Sequence, residues 1–405
     1  MEQIVDAARF LYDRKKFAQA AQVLELAVEF TSDRHTLDSI YSNTRMCYFL
    51  ANDVPAAYRI LEMQEDLGIN HGWEIKRDKA NFLRYLNRHE EAYELANGIP
   101  DDKTRFLAQG WFLHKQGKIQ QAFDITEKSR TIGGYWWRSP PAYDYQPWTG
   151  QQVTDLVVYA ESGYGDQIIF SRWIPQLKDR ASNLYYDGDT HINPVFCRNY
   201  GIQSLGSPMP EDIYLVPIMS LPYLLGVDTT DSKQYLTCKS RIRDNYDQNY
   251  AKEKDIRIGI CTHGDKDHVE TTLRTLPVLE LVDNLDDLGE IVNLEKEIYK
   301  RDQRVRYIPF DLWEETLALI YTCDLIVSCD TSIGHAAAAM GKKTIVLMHA
   351  AAYFTWNHNE DMAKTLWYEN AWCVHQDKPC DWTGSIAKTR RLAQQLLNLR
   401  RNHDT

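Results

Sequence analysis

Through its first third the chain alternates short polar clusters with stretches whose apolar residues recur every three or four positions, the spacing that marks one face of a helix. Four segments repeat one local order, a polar turn followed by an alanine beside an apolar or small residue. They read KKFAQAAQVL, NDVPAAYRIL, NRHEEAYELA and GKIQQAFDIT, with Ala20, Ala57, Ala92 and Ala122 at equivalent places, 37, 35 and 30 residues apart. Upstream of the last three lie the apolar stretches MCYFLA, ANFLRYL and GWFLHKQ. The pattern predicts helical hairpins, because a small residue is needed on the second helix where the two helices of a hairpin cross closely. The run of residues 133–150 (GGYWWRSPPAYDYQPWTG) is too rich in Gly and Pro to continue a helix and marks a linker.

Beyond the linker the period changes. The segment DLVVYAESGYGDQIIFSRWIPQL places a short β-branched run, a glycine-punctuated loop and a helical pattern in succession, and NLYYDG and DIYLVP follow as further strands. After a charged stretch (KSRIRDNYDQNYAKEKD) the alternation restarts with IRIGIC, EIVNLE, RVRYIPF, DLIVSCD and KTIVLMH. Strands alternating twice with helices predict two Rossmann-like units with parallel sheets. The loop Gly163-Tyr164-Gly165-Asp166 lets a ligand approach backbone N–H groups at a helix start, yet Ile168 stands where a dinucleotide fingerprint needs its third glycine, which argues against a nicotinamide or flavin. The triplet Asp187-Gly188-Asp189 reads either as a metal-holding D-x-D or, with more weight, as a tight turn after a strand.

In DLIVSCDTSIGHAAAAMGKKTIVLMH a buried strand ends in Asp330-Thr331-Ser332, and an alanine-rich helix runs from there to Gly341. Strand ends and helix starts of such units face the crevice, so an anionic diphosphate is the expected guest beside Thr331 and Ser332. His335 lies on the same helix face. A helix cap at Asp330 and Thr331 and a satisfied buried histidine are the plainer alternatives.

Composition narrows the class. With 405 residues, 44% hydrophobic and 25% charged, the chain suits two or three globular domains. Neither a basic-then-apolar leader nor an 18-residue apolar run occurs, so no membrane span and a cytoplasmic location are expected, the host cytoplasm if the chain is viral. Eight scattered cysteines, with no C-x-x-C pair, suit reduced thiols and argue against structural zinc. The net charge of −11 opposes nonspecific nucleic-acid binding, although Lys239, Arg241, Arg243, Lys388, Arg390 and Arg391 offer a local basic groove.

Residues from about Tyr145 onward resemble the catalytic part of tetratricopeptide-repeat proteins related to glycosyltransferase family 9, the heptosyltransferase-like group. The resemblance rests on Trp148-Thr149-Gly150, on Ala160-Glu161-Ser162-Gly163-Tyr164-Gly165-Asp166, on Asp330-Thr331 through His335, Ala337, Ala339 and Gly341, and on the loop TWNHNEDMAKTLWY with Trp356, Trp367 and Tyr368. The chain departs from the family pattern at Ser162 and at Thr262-His263-Gly264. The resemblance implies a GT-B fold: tetratricopeptide-like repeats over 1–132, a linker over 133–150, an acceptor-side Rossmann-like domain over 151–250, a donor-side domain over 251–385, and a C-terminal helix over 386–405 packing across both. It implies an inverting, metal-independent glycosyltransferase, with a nucleotide-sugar as co-substrate and no other cofactor.

On this reading Asp166 is the general base and Glu161 its alternate, and Gly163, Tyr164 and Gly165 form the acceptor-side loop. Arg274, Asp330, Thr331, Ser332, His335, Gly264, Lys266, Tyr353 and Trp356 bind the donor. The acceptor is a glycan, a lipid-linked sugar, a protein or a modified, hydroxymethylated DNA base, and the helical repeats are a place for a protein partner. A non-catalytic binding module of repeats and Rossmann pair is the competing interpretation.

Overall fold

The computed structural model describes residues 1–68, 72–133, 141, 143–206, 209–230, 232–265, 271–295, 297, 300, 302–352, 354–356 and 363–398. The first third is eight helices: α1 (Glu2–Asp13), α2 (Phe17–Ala27), α3 (Arg34–Leu50), α4 (Val54–Asp66), α5 (Trp73–Tyr85), α6 (His89–Asn97), α7 (Asp102–Lys115) and α8 (Ile119–Gly133). They pack as four consecutive hairpins. Ala20, Ala57, Ala92 and Ala122 are all buried on the second helix of their hairpin, as the spacing predicts.

The hairpin turns share one stereochemistry. Lys15, Asn52, Asn87 and Gly117, the first residue of each repeated segment, all have positive φ. The next residue's N–H then bonds back to Leu11, Tyr48, Leu83 and Leu113 O at 2.8–3.0 Å, a Schellman closure of the first helix that sends the chain straight into the second.

Two all-parallel sheets follow. The first takes β1 (Gln146–Pro147), β2 (Val153–Tyr159), β3 (Ala181–Asp187), β4 (Gln203–Ser204) and β5 (Ile213–Pro217) in the order β1-β5-β2-β3-β4, with α9 (Tyr164–Ser171) and α10 (Asn193–Tyr200) in its connections and α11 (Leu221–Leu224) after its last strand. After α12 (Ser240–Asn249), the second sheet takes β6 (Arg257–Cys261), β7 (Glu290–Asn293), β8 (Val305–Arg306), β9 (Leu325–Cys329), β10 (Thr344–Met348) and β11 (Ala371–His375). Its order, β11-β10-β9-β6-β7-β8, is the doubly wound one, with α13 (Thr271–Arg274), α14 (Val278–Leu285), α15 (Trp313–Thr322), α16 (Ser332–Ala339) and α17 (Thr383–Leu396) between or after the strands. Strands β6, β9 and β10 are buried along their whole length, as parallel strands covered on both faces must be.

Two expected boundaries move. The chain has already joined the second domain by Tyr235 and Leu236, whose N–H groups donate to Ala339 O at 3.0 and 3.1 Å, and α12 packs on α15 rather than on the first sheet. The charged stretch hid this helix because few of its residues are apolar, Tyr246 being its buried anchor. The C-terminal helix does not bridge the domains. α17 lies on α14, β10 and β11, and its Ile386, Leu392 and Ala393 enter the core of the second domain alone.

One apolar core joins the last helical hairpin to both α/β domains, while the first hairpins keep a core of their own. Ile119 and Phe123 of α8 join Phe170 and Trp173 near α9 and Phe354, Trp356 and Trp367 of the second domain. The last helical hairpin is thus part of the α/β core despite the linker after it. No described helix is long and apolar enough to cross a membrane.

Candidate active site

Strand order changes direction beside β2 in the first sheet and between β6 and β9 in the second, and ligands of open parallel sheets bind outside the strand ends at such points. Here the two points face each other, because α9 from the first packs directly on α16 from the second. Gly165 sets the approach: a Cβ added there would lie 3.1 Å from His335 Cδ2 and 3.8 Å from Ser332 Cα.

On the first side, the loop from Ala160 to Gly163 is pinned by Gln167, whose Nε2 donates to Ser162 O at 2.7 Å while Tyr186 OH donates to its Oε1 at 2.9 Å. Gly163 is exposed at the N-cap of α9, and Tyr164 packs edge-on against Trp313 with centroids 5.4 Å apart. Asp166 occupies the first turn of α9. Crowding by protein raises its carboxyl to about 7, and the charges of Asp330 and Glu161 push the same way against the pull of Arg130 and Arg274. A carboxyl in this range exchanges its proton near neutral pH.

Glu161 does not join it as an alternate base. Its carboxylate is wholly buried, takes two bonds of 2.6 Å from Arg130 Nη2 and a third of 3.0 Å from Met219 N–H, and so ties α8 to the first sheet. Arg130 also pairs with Glu127 at 3.1 Å, and Ser220 Oγ donates to Glu127 at 2.9 Å. An ion pair this deep holds two domains together and cannot shuttle a proton to the crevice.

On the second side, Thr331 is the N-cap of α16, yet its side chain caps nothing. Its Oγ1 lies 2.9 Å from Ser328 Oγ and 3.6 Å from Cys261 Sγ. The first N–H groups of α16, including that of half-buried Ser332, are therefore without a side-chain cap, the condition in which a helix start receives an anion. The Asp330 carboxylate is engaged elsewhere, its Oδ1 accepting from Trp356 Nε1 at 2.7 Å. Arg274, at the end of α13, reaches Asp330 O with Nη1 at 3.3 Å and brings a cation to the same strand end. Gly264 lies close by, with Thr331 Cγ2 3.5 Å from where its Cβ would be.

His335 and Trp356 change roles. His335 is buried between the Trp356 ring, stacked at 4.1 Å, and Tyr368, whose hydroxyl lies 2.8 Å from Nδ1. Burial, helped by the charge of Arg172, lowers it to about 3, so it is a neutral spacer between α16 and α9 rather than a cation for a phosphate. Trp356, Trp367 and Tyr368 are fully buried, and their faces serve the core instead of a ligand. Lys266 and Tyr353 lie outside the described residues. Asp187 and Asp189 turn to different partners, Tyr143 OH at 2.8 Å and His191 N–H at 2.8 Å, as in a turn.

Two site residues carry no motif. Glu295 stands two residues past β7, and its carboxylate accepts from the N–H groups of Thr262 and His263 at 2.7 and 3.0 Å, shaping the loop that leads to Gly264. A carboxylate just beyond a strand was the available signal. Arg172, isolated in the apolar run around α9, crosses to the second domain, donating to Trp367 O at 2.8 Å and lying 4.8 Å from the Tyr368 ring. A lone arginine amid apolar residues was its signal.

Residues 311–384, which include Asp330 through His335, match the family model described as glycosyltransferase family 9 (heptosyltransferase). Among solved structures, the chain is similar to the Escherichia coli ADP-heptose lps heptosyltransferase II, at 13% identity and a TM-score of 0.39 over 60% of this chain and 99% of that one. It is also similar to the glycosyl transferase family 9 protein from Veillonella parvula, at 11% identity and 0.41, over 63% and 97%. A third similar structure is the Thermobaculum terrenum O-GlcNAc transferase mutant, at 10% identity and 0.32, over 98% and 92%. No curated protein matches the chain. The fold is of GT-B type, two parallel-sheet α/β domains behind a helical one, and the family match on the second domain supports a glycosyltransferase.

Proposed function

We propose that the chain transfers a sugar from a nucleotide-sugar to an acceptor hydroxyl, with inversion at the anomeric carbon. The observation that supports this most is the meeting of the two strand-end regions: a carboxyl held near 7 on α9 lies across from a helix start without a side-chain cap and the cation of Arg274. Asp166 takes the proton of the acceptor hydroxyl as its oxygen bonds the anomeric carbon and the bond to the diphosphate breaks, a task for which a base near 7 is well matched. The departing diphosphate is met by the α16 N–H groups, Thr331, Ser332 and Arg274, which do the charge stabilisation without a metal.

The acceptor is a hydroxyl on a glycan, a lipid-linked sugar or a protein. A DNA base is less favoured, because Arg243, Lys388 and Arg390 are already paired with Asp244, Asp377 and Asp287. We assign the helical hairpins to bracing the α/β pair first, since Arg130 and Phe123 bind them to it.

The test is nucleotide release from UDP-, GDP-, ADP- and CMP-sugars by wild type, Asp166→Ala and Arg274→Ala, with and without EDTA. Turnover of one donor that EDTA leaves unchanged, and that falls by about 100-fold or more in Asp166→Ala, is expected. Absence of turnover with every donor, or no loss in either variant, would overturn the assignment.

A further inference from the structure

Beneath the crevice a buried chain of polar groups joins the two α/β domains. Arg172, at the C-terminal end of α9, donates from Nε to Ile169 O at 2.9 Å within its own domain and from Nη1 to Trp367 O at 2.8 Å in the second. Its Nη2 donates to Tyr235 OH at 3.2 Å, and Tyr235 OH in turn donates to Ile168 O at 3.1 Å. Tyr368 OH stands next in line, 3.4 Å from Tyr235 OH and 2.8 Å from Nδ1 of His335. Thr355 Oγ1 lies 3.5 Å from the other ring nitrogen, Nε2.

Each proton in this chain has one place to go. A carbonyl oxygen only accepts, so the single hydroxyl proton of Tyr235 is committed to Ile168. Tyr368 is fully buried, and burial pushes its hydroxyl well above the ordinary tyrosine range, so it keeps a proton that needs an acceptor. Among the described residues two atoms are placed to take it, and 3.4 Å to Tyr235 is too long for a good O–H···O bond, whereas 2.8 Å to Nδ1 is well suited. His335 is neutral, lowered to about 3 by burial, and so holds one proton on its ring. With Nδ1 accepting, that proton is on Nε2, on the side of Thr355.

The ring held in this way separates the two helices of the crevice. Its Cδ2 faces Gly165 of α9, Trp356 stacks on it at 4.1 Å, and the Trp356 indole holds the Asp330 carboxylate at 2.7 Å. We propose that Tyr368 is a positioning residue: its hydroxyl, donating to His335 Nδ1, locks the imidazole as the Nε2–H tautomer and thereby holds the anion-receiving start of α16 in register with Asp166 on α9. Its effect on rate rests on the glycosyl transfer proposed above, whereas the hydrogen bond does not.

The test has two arms. In the full chain labelled with nitrogen-15 histidine, the His335 nitrogens are identified among the 12 histidines by their loss in His335→Ala and then read in wild type and Tyr368→Phe. Wild type is expected to show a protonated Nε2 and an unprotonated Nδ1 from about pH 5.5 to about pH 8. The Nδ1 resonance should move downfield in Tyr368→Phe as its hydrogen bond is lost. In the kinetic arm, kcat of Tyr368→Phe should fall about tenfold while affinity for the nucleoside diphosphate of the donor stays within about twofold, because α16 keeps its N–H groups and loses only its alignment with α9. Added to His335→Ala, Tyr368→Phe should cost little more, since it acts through that ring. Absence of turnover with every donor sinks the glycosyl transfer and leaves the nitrogen shifts to decide the positioning bond. A protonated Nδ1 in wild type, an Nδ1 resonance indifferent to Tyr368→Phe, an unchanged kcat, or a kcat loss that adds in full to that of His335→Ala would overturn the proposal.

Discussion

Replacing Asp166 by Asn should make the protein more stable and less active at once. The carboxyl stands at about 7 in the fold against an ordinary 3.8, and at about 1.4 kcal/mol per pH unit the difference amounts to about 4 kcal/mol between the two protonation states. The sign follows from proton counting. Between pH 3.8 and about 7 the folded chain holds this proton and the unfolded chain does not, so the group subtracts stability as pH rises and the full penalty is present above about 7. Asparagine removes the ionisation and keeps the shape. The side chain is partly exposed, so water screens part of the penalty, and about 2 kcal/mol is the expected gain. Melting curves of wild type and Asp166→Asn across about pH 5 to pH 8.5 should diverge as pH rises and run parallel above about 8. Nucleotide release by the wild type should rise through about pH 7, and that of Asp166→Asn should be lower by about 100-fold or more. A variant no more stable than the wild type at about pH 8, or a gap indifferent to pH, would refute the crowded-carboxylate account of this residue.

Two other substitutions probe the joints. Arg130→Met leaves Glu161 buried without its cation and should cost about 3–5 kcal/mol, seen as a lower urea midpoint and faster proteolysis at α7 and α8, whereas Arg130→Met with Glu161→Leu should recover much of the loss. Gly165→Ala puts a methyl group 3.1 Å from His335 Cδ2; it should cost about 1 kcal/mol in melting yet slow nucleotide release disproportionately, because α9 and α16 must shift apart, and an unchanged rate would show that their spacing is not critical.

Much of the architecture is legible in local pattern. The repeated polar turn and alanine mark the hairpins because both requirements, a left-handed turn residue and a small residue at a helix crossing, are met within ten residues of sequence. Strands β6, β9 and β10 are equally plain, since burial on both faces writes a largely apolar run, and β2 shows it in its second half, Leu156 to Tyr159. β1 and β4, two residues each, and α12, whose exposed faces are charged, leave no such trace. The strand-end carboxylates and Thr331-Ser332 are likewise visible as residues that interrupt an apolar run.

What the sequence determined by itself, then, is which segments are helix or strand and which polar residues stand at strand ends, because those depend on neighbours in the chain. The uses of those residues were decided only in three dimensions. Glu161 and Asp166 are five positions apart on one loop and helix start, yet Arg130, 31 residues upstream of Glu161, claims the first for an ion pair and leaves the second crowded by carboxylates. His335 and Trp356 look like ligands for a phosphate and a base until stacking on each other, with Tyr368 alongside, takes both out of solvent. The physical reason is the same in each case: a side chain's charge state and availability depend on which distant groups pack against it, and no short stretch of sequence contains that information.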